Sequence, residues 1–125
     1  MSLDDKDRPR ILVVEDEPII AVMLDDMLQE LGFDVVASVS AVSAAIDVIG
    51  REKLDVALLD VNLGGEKIDP VADLLAERAC PFVFTTGYGH AGAPAAHADH
   101  GFVQKPFRIE DLATALRQEI ARNRA

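Results

Sequence analysis

The chain has 125 residues, a net charge of −10, one cysteine and no tryptophan. This length suits one domain, and a hydrophobic content of 50% favours a folded protein over a disordered one. The negative charge argues against a nucleic-acid partner, whose phosphates would repel the protein. A single cysteine excludes an internal disulfide, and no apolar run approaches the roughly 20 residues of a membrane span. Since no signal sequence is visible either, the sequence predicts a cytoplasmic protein without membrane contact.

Segments of strand and helix character alternate five times along the chain. In chain order, the pattern predicts strand 10–14, helix 18–31, strand 34–38, helix 40–49, strand 54–60, helix 69–79, strand 81–85, helix 93–99, strand 102–104 and helix 109–123. The helix at 93–99 contains no Leu, Ile, Val or Phe, so we expect it to be short and weakly held.

Residues at the helix ends support these assignments. Pro18 suits the first turn of the first helix, and Gly32 is suited to end it. We expect Ser40 to cap the second helix and Asp69, followed by Pro70, to cap the third. The first helix is predicted to bury one apolar stripe, formed by Ile20, Met23, Leu24, Met27, Leu28 and Leu31.

Alternating strands and helices indicate βαβ units with right-handed crossovers. Five such units predict an α/β fold with a flavodoxin-like, doubly wound, five-stranded parallel sheet of order 2-1-3-4-5, a (βα)5 arrangement. We expect residues 10–125 to form this single domain and residues 1–9 to form a flexible N-terminal tail.

Three of the predicted strands end in charged residues at one edge of the sheet. Asp60 follows a buried apolar run, Glu15 and Asp16 follow the first strand, and Lys105 follows the fifth. Open α/β sheets bind ligands at this carboxyl edge. An aspartate can attack phosphorus, and an acidic pair can hold Mg²⁺ to offset the crowded negative charge. The pattern predicts a metal-assisted phosphoryl site.

Further groups would complete this site. The backbone carbonyl of Asn62 would join the acidic pair and Asp60 around the same Mg²⁺ ion. Lys105 would neutralise one phosphoryl oxygen, and the hydroxyl of Thr86 would donate a hydrogen bond to another.

These motifs together resemble the receiver domain of two-component response regulators. The resemblance covers roughly residues 10–122 and is carried, in order, by Glu15-Asp16-Glu17, Asp60, Thr86-Gly87 and Lys105-Pro106-Phe107. It implies that a sensor histidine kinase or a histidine phosphotransfer protein donates a phosphoryl group to Asp60 in the presence of Mg²⁺. It also implies that Asp16 is the more direct metal ligand of the acidic pair.

The same resemblance implies a switch and a special peptide bond. Thr86 would be the switch hydroxyl, Phe102 would be the switch aromatic, and the Lys105–Pro106 bond would be cis. Gly64 stands where many receivers carry proline, which predicts a more mobile loop after Asp60.

A narrower resemblance is to the single-domain receivers named for a "FATGUY" motif, through residues 70–73 and 81–89. Thr85 replaces the alanine of that motif, and Gly89 replaces its final tyrosine. This likeness implies a stand-alone receiver that signals by contact with a downstream protein or by phosphorelay, and that is not a turnover enzyme.

Three other functions fit the sequence less well. A receiver-shaped interaction protein that never takes phosphate would not need the complete site. An aspartyl-phosphate phosphohydrolase would carry a second aspartate where Asn62 stands. A flavodoxin-like flavin binder would have its phosphate repelled by residues 15–17.

Overall fold

The structure is a computed structural model that describes residues 8–87, 97 and 101–124, with side chains up to residue 122. Within these residues the elements are β1 (Arg10–Val14), α1 (Pro18–Glu30), β2 (Asp34–Val39), α2 (Val42–Arg51), β3 (Val56–Asp60), α3 (Asp69–Glu77), β4 (Phe82–Thr86), β5 (Phe102–Gln104) and α4 (Ile109–Arg124). The helix predicted at 93–99 lies outside the described residues, except for His97.

The five strands form one parallel sheet of order β2-β1-β3-β4-β5, which confirms the predicted topology. β3 and β4 are buried along their whole length because helices cover both faces of the sheet. Pro9, the last residue of the predicted tail, contacts the sheet edge, since its carbonyl accepts a hydrogen bond of 2.9 Å from the Asp34 N–H.

Each face of the sheet carries its own apolar core. On one face α2 and α3 pack on the sheet, through buried residues that include Leu12, Val14, Ala45, Val48, Ile49, Leu59, Val71, Leu75, Phe82 and Phe84. On the other face α1 and α4 do so, through Ile11, Val13, Leu24, Leu28, Leu58, Val83, Val103, Leu112 and Leu116. None of the described helices has the length and apolar character needed to cross a bilayer.

The buried face of α1 is narrower than the sequence predicts. Leu24 and Leu28 are fully buried, but Met23 is 41% exposed, so its predicted place in the core is wrong. The reason is that Ile20, Met27 and Leu31 pack around Leu24 and Leu28 against the sheet, whereas Met23 lies at the edge of this stripe. Ile19 and Val22 are exposed as well.

The start of α2 also differs from the prediction. Ser40 does not cap this helix, because Ala41 occupies the N-cap position and makes no side-chain cap hydrogen bond. Instead, the Glu66 carboxylate accepts a hydrogen bond of 3.3 Å from the Val42 N–H. A residue from another loop therefore satisfies one of the free N–H groups at this helix end.

The predicted cap of α3 is shifted by one residue. Ile68 occupies the N-cap position without a side-chain cap, and Asp69 is the first helical residue. The carboxylate of Asp69 still lies in the first turn, where it favours the positive end of the helix dipole. Pro70 remains in the first turn, where its missing N–H costs no helical hydrogen bond.

Two of the described helices are followed by a left-handed residue. After α1, Gly32 has φ +92°, and the Phe33 N–H donates to the Leu28 carbonyl, so Gly32 ends the helix as predicted. After α3, Ala79 takes the equivalent position with φ +56°, and the Cys80 N–H donates to the Leu75 carbonyl. A residue with a β-carbon is strained there.

We therefore expect Ala79→Gly to stabilise the protein by about 0.5–1 kcal/mol, since relief of strain outweighs the extra chain entropy of glycine. Urea denaturation measures the change. The same exchange inside α3, Ala76→Gly, is the matched control and should destabilise the protein. Equal effects of the two substitutions would contradict the strain at residue 79.

Candidate functional site

The carboxyl edge of the sheet brings together groups from three strands. Glu15 follows β1, Asp60 ends β3, and Lys105 follows β5. The Lys105 Nζ atom lies 3.1 Å from Glu15 Oε1 and 3.1 Å from Asp60 Oδ2. The Lys105 backbone is held in place, because its N–H donates a hydrogen bond of 2.8 Å to the Thr86 carbonyl. These four predicted site residues thus share one small region.

The carboxylates of Glu15, Asp16 and Asp60 form a compact acidic cluster, with one oxygen of each within 4.8 Å of the others. Glu15 and Asp60 are buried and Asp16 is half-buried. Glu15 Oε1 is buried and, in the described part of the chain, accepts no well-aligned hydrogen bond despite its ion-pair contact with Lys105. Three hard oxygen ligands, one of them with free acceptor capacity, fit Mg²⁺.

Burial controls the charges in this cluster. The pKa of Glu15 is raised from 4.5 to about 7, mainly because burial desolvates the carboxylate and also because Asp60 lies nearby, against the opposing hydrogen bond from the Glu17 N–H. For Lys105, burial by itself lowers the pKa, but the close contacts with Glu15 and Asp60 outweigh it and the pKa is raised. Lys105 therefore remains an ammonium ion between the two carboxylates at neutral pH.

Two hydrogen bonds fix the carboxylate of Asp60, which is 1% exposed. The Asn62 N–H donates to Oδ1 over 3.0 Å, and the Lys105 ammonium donates to Oδ2 over 3.1 Å. The first of these closes a short turn directly after β3. The orientation of a potential nucleophile is thus set by its own loop and by the cation from β5.

The two predicted switch residues lie on neighbouring strands. Thr86 is fully buried at the end of β4. Phe102 is half-buried on β5 and packs against Phe84, with ring centroids 5.5 Å apart. The Lys105–Pro106 bond is cis, as predicted.

The sequence model of the response regulator receiver domain family matches residues 11–117, a span that contains every group described above. The chain belongs to this family. Receiver domains are signalling domains of two-component systems.

Two curated relatives illustrate the similarity of this receiver to longer regulators. The transcriptional regulatory protein PdtaR of Mycobacterium tuberculosis is 29% identical over 119 residues, which are 92% of this chain and 58% of that protein. The positive alginate biosynthesis regulatory protein of Pseudomonas aeruginosa is 34% identical over 119 residues, which are 91% of this chain and 48% of that protein. The receiver spans about half the length of these relatives.

Solved structures agree with the fold. SdrG from Sphingomonas melonis Fr1 superposes with a TM-score of 0.82 at 40% identity, covering 95% of the receiver and 99% of that chain. The PhyR receiver domain from Erythrobacter litoralis gives a TM-score of 0.77 at 28% identity, with 91% of both chains covered.

Some features of the site region were not predicted from the sequence. A β-carbon placed on Gly64 would lie 3.3 Å from Asp16 Oδ2, so the loop after β3 touches the acidic cluster. Two adjacent glycines indicate a tight turn, but they do not indicate what the turn contacts. The contacts of His97 were not predicted either: its Nε2 lies 2.7 Å from Asp73 Oδ1 on α3, and its ring packs edge-on against Phe82.

Proposed function

We propose that this receiver accepts a phosphoryl group on Asp60 from the phosphohistidine of a sensor histidine kinase or a histidine phosphotransfer protein. The observation that carries the proposal is the position of the buried Asp60 carboxylate. It lies 3.1 Å from the Lys105 ammonium, and one of its oxygens lies within 4.8 Å of an oxygen of Glu15 and of Asp16. A carboxylate held beside a cation and a candidate metal site has the arrangement required of a phosphoryl acceptor.

In the proposed reaction an Asp60 oxygen forms a bond to phosphorus while the bond from the donor histidine nitrogen breaks. The electron pair of that bond returns to the imidazole. Bound Mg²⁺, held by Glu15, Asp16, Asp60 and the Asn62 carbonyl, would supply charge stabilisation to the phosphoryl oxygens. Lys105 would offset the charge of one phosphoryl oxygen, and the Thr86 hydroxyl would donate to another.

We propose that phosphorylation changes the conformation of the surface that a downstream protein recognises. A phosphoryl group on Asp60 would draw the Thr86 hydroxyl toward it, and Phe102 on the neighbouring strand would turn inward in response. The partner would be a downstream protein, reached by direct contact or through a phosphorelay in the cytoplasm. The "FATGUY" likeness supports a stand-alone receiver, formed by residues 10–125 behind the tail 1–9.

Intact-mass spectrometry after incubation with acetyl phosphate tests the proposal. We expect one phosphoryl group per chain with Mg²⁺ and almost none when a chelator removes the ion. Absence of any added mass with acetyl phosphate and with purified phosphohistidine donors would favour the alternative, an interaction protein that works without phosphorylation.

The outer face of α1 supports a protein donor. Ile19 is 78% exposed and Val22 is 62% exposed, and both lie within the first turns of the helix that follows the acidic cluster. α1 contains no lysine or arginine but carries Asp25, Asp26 and Glu30. An exposed apolar patch with an acidic rim suits a partner surface that is apolar and flanked by basic residues. We propose that the donor docks there.

Val22→Glu is therefore expected to slow phosphoryl transfer from a protein donor by about tenfold or more, because a charge would enter an apolar contact. Transfer from acetyl phosphate should be unchanged, since a small donor needs no docking. Ile46→Glu is the control: Ile46 is 39% exposed on α2, which packs on the opposite face of the sheet. If the two variants slow protein-dependent transfer equally, α1 is not the docking surface.

A further inference from the structure

The loop after β3 contains a two-residue hairpin turn. Leu63 and Glu66 form an isolated antiparallel bridge, and the Glu66 N–H donates a hydrogen bond of 3.0 Å to the Leu63 carbonyl. Between them, Gly64 has φ +56° and Gly65 has φ +98°. Positive φ at both central residues is the requirement of a type I′ turn and strongly favours glycine. The two glycines therefore hold a specific backbone shape.

This turn is anchored at both ends. The Leu63 side chain is 3% exposed and belongs to the core between the sheet and the α2–α3 layer. The Glu66 carboxylate accepts the hydrogen bond from the Val42 N–H at the start of α2. Contacts thus hold both ends of the turn, one end in the core and the other at the start of α2.

The two glycines face different surroundings. A β-carbon on Gly64 would lie 3.3 Å from Asp16 Oδ2, which is closer than an ordinary van der Waals contact. A β-carbon on Gly65 would have no atom within 4 Å. The missing side chain at residue 64 thus allows the loop backbone to lie against the Asp16 carboxylate.

We propose that Gly64 is a positioning residue for Asp16: the turn backbone at Gly64 limits where this half-buried carboxylate can stand relative to Glu15 and Asp60, and so sets the affinity for Mg²⁺. The inference rests on the metal site of the proposed function. Mg²⁺ requires near-octahedral ligands at about 2.0–2.1 Å, so displacing one carboxylate oxygen by a few tenths of an ångström weakens its binding.

A Mg²⁺ titration followed by NMR amide shifts tests this role in the phosphate-free protein. Gly64→Ala is expected to weaken Mg²⁺ binding about tenfold, whereas Gly65→Ala should change it less than twofold. Both variants place alanine at positive φ in the same turn, and the φ of +98° at residue 65 lies further outside the left-handed region than the +56° at residue 64, so Gly65→Ala should carry at least as much backbone strain. Gly65→Ala is thus a matched control for backbone strain.

A kinetic measurement separates positioning from general damage. In Gly64→Ala the Mg²⁺ concentration that half-saturates the rate of phosphorylation by acetyl phosphate should rise about tenfold, while the rate at saturating Mg²⁺ stays within about twofold of wild type. Asp16→Ala identifies the metal site itself. If wild type binds no Mg²⁺, or Asp16→Ala binds it equally well, both the proposed metal site and this inference fail. If Asp16→Ala loses binding but Gly64→Ala equals Gly65→Ala, or binds more tightly than wild type, only the role of Gly64 is overturned.

Discussion

Asp60→Asn is expected to abolish incorporation of a phosphoryl group from acetyl phosphate. The amide has no anionic oxygen to attack phosphorus, while its size matches that of the carboxylate. Its carbonyl oxygen can still accept the hydrogen bond from the Asn62 N–H, so the turn after β3 is retained. Loss of labelling would therefore reflect the missing nucleophile and not a disordered loop.

The matched control for this variant lies near the start of the same strand. Asp55 precedes β3, at the end away from the site, and its Oδ2 accepts a hydrogen bond of 2.8 Å from the Arg10 N–H. Asp55→Asn makes the same chemical change away from the site and should be labelled like wild type. Intact-mass spectrometry reads both variants. Near wild-type labelling of Asp60→Asn would assign the phosphoryl group to another residue.

Glu15→Gln is expected to alter the pH dependence of stability in the metal-free protein. The pKa of Glu15 is raised by burial to about 7 from an unfolded value of 4.5. A raised carboxyl pKa means that the folded state holds its proton more tightly than the unfolded state. The contribution of Glu15 to stability is therefore fully present below pH 4.5 and is lost as the pH rises to about 7.

The size of this effect follows from the same two pKa values. A pKa raised from 4.5 to about 7 corresponds to about 3 kcal/mol of unfolding free energy. Glutamine resembles the protonated form and does not titrate. The free energy of unfolding of Glu15→Gln should therefore rise by about 3 kcal/mol relative to that of wild type between pH 4 and pH 8. Urea denaturation with chelator at several pH values measures it.

The control for Glu15→Gln is Glu17→Gln, which removes the same charge from a side chain that is 62% exposed and 4.0 Å from Lys105. The stability change of Glu17→Gln shows the effect of removing one negative charge near Lys105 without removing a buried carboxyl group. Parallel stability curves for wild type and Glu15→Gln across this pH range would show that burial does not hold a proton on Glu15.

The fold and the main site groups could be predicted because the sequence encodes them locally. A strand covered on both faces must be apolar along its length, so β3 is visible as an apolar run and Asp60 as the residue that ends it. Glu15 and Lys105 likewise follow their strands directly. Parallel pairing then places these three groups at one edge, and no further information is needed to bring them together.

The features that the sequence did not predict depend on contacts between distant segments. Serine is a favourable N-cap residue, but the Val42 N–H at the start of α2 donates its hydrogen bond to Glu66, 24 residues further along the chain. The exposure of Met23 depends on which side of α1 faces the sheet. The raised pKa of Glu15 depends on how deeply the assembled sheet buries it. The short distance between Gly64 and Asp16 depends on the contacts that hold the turn against the core and α2.

The position of Lys105 between Glu15 and Asp60 has a consequence for the folding of this chain. The cation comes from the last strand, whereas the carboxylates come from β1 and β3, so the three charges meet only when β5 has joined the sheet. A partly folded state with β1 and β3 paired but β5 detached would bury carboxylates without their cation, which is costly. The charge arrangement thus disfavours partly folded forms and makes assembly of the sheet more nearly all-or-none.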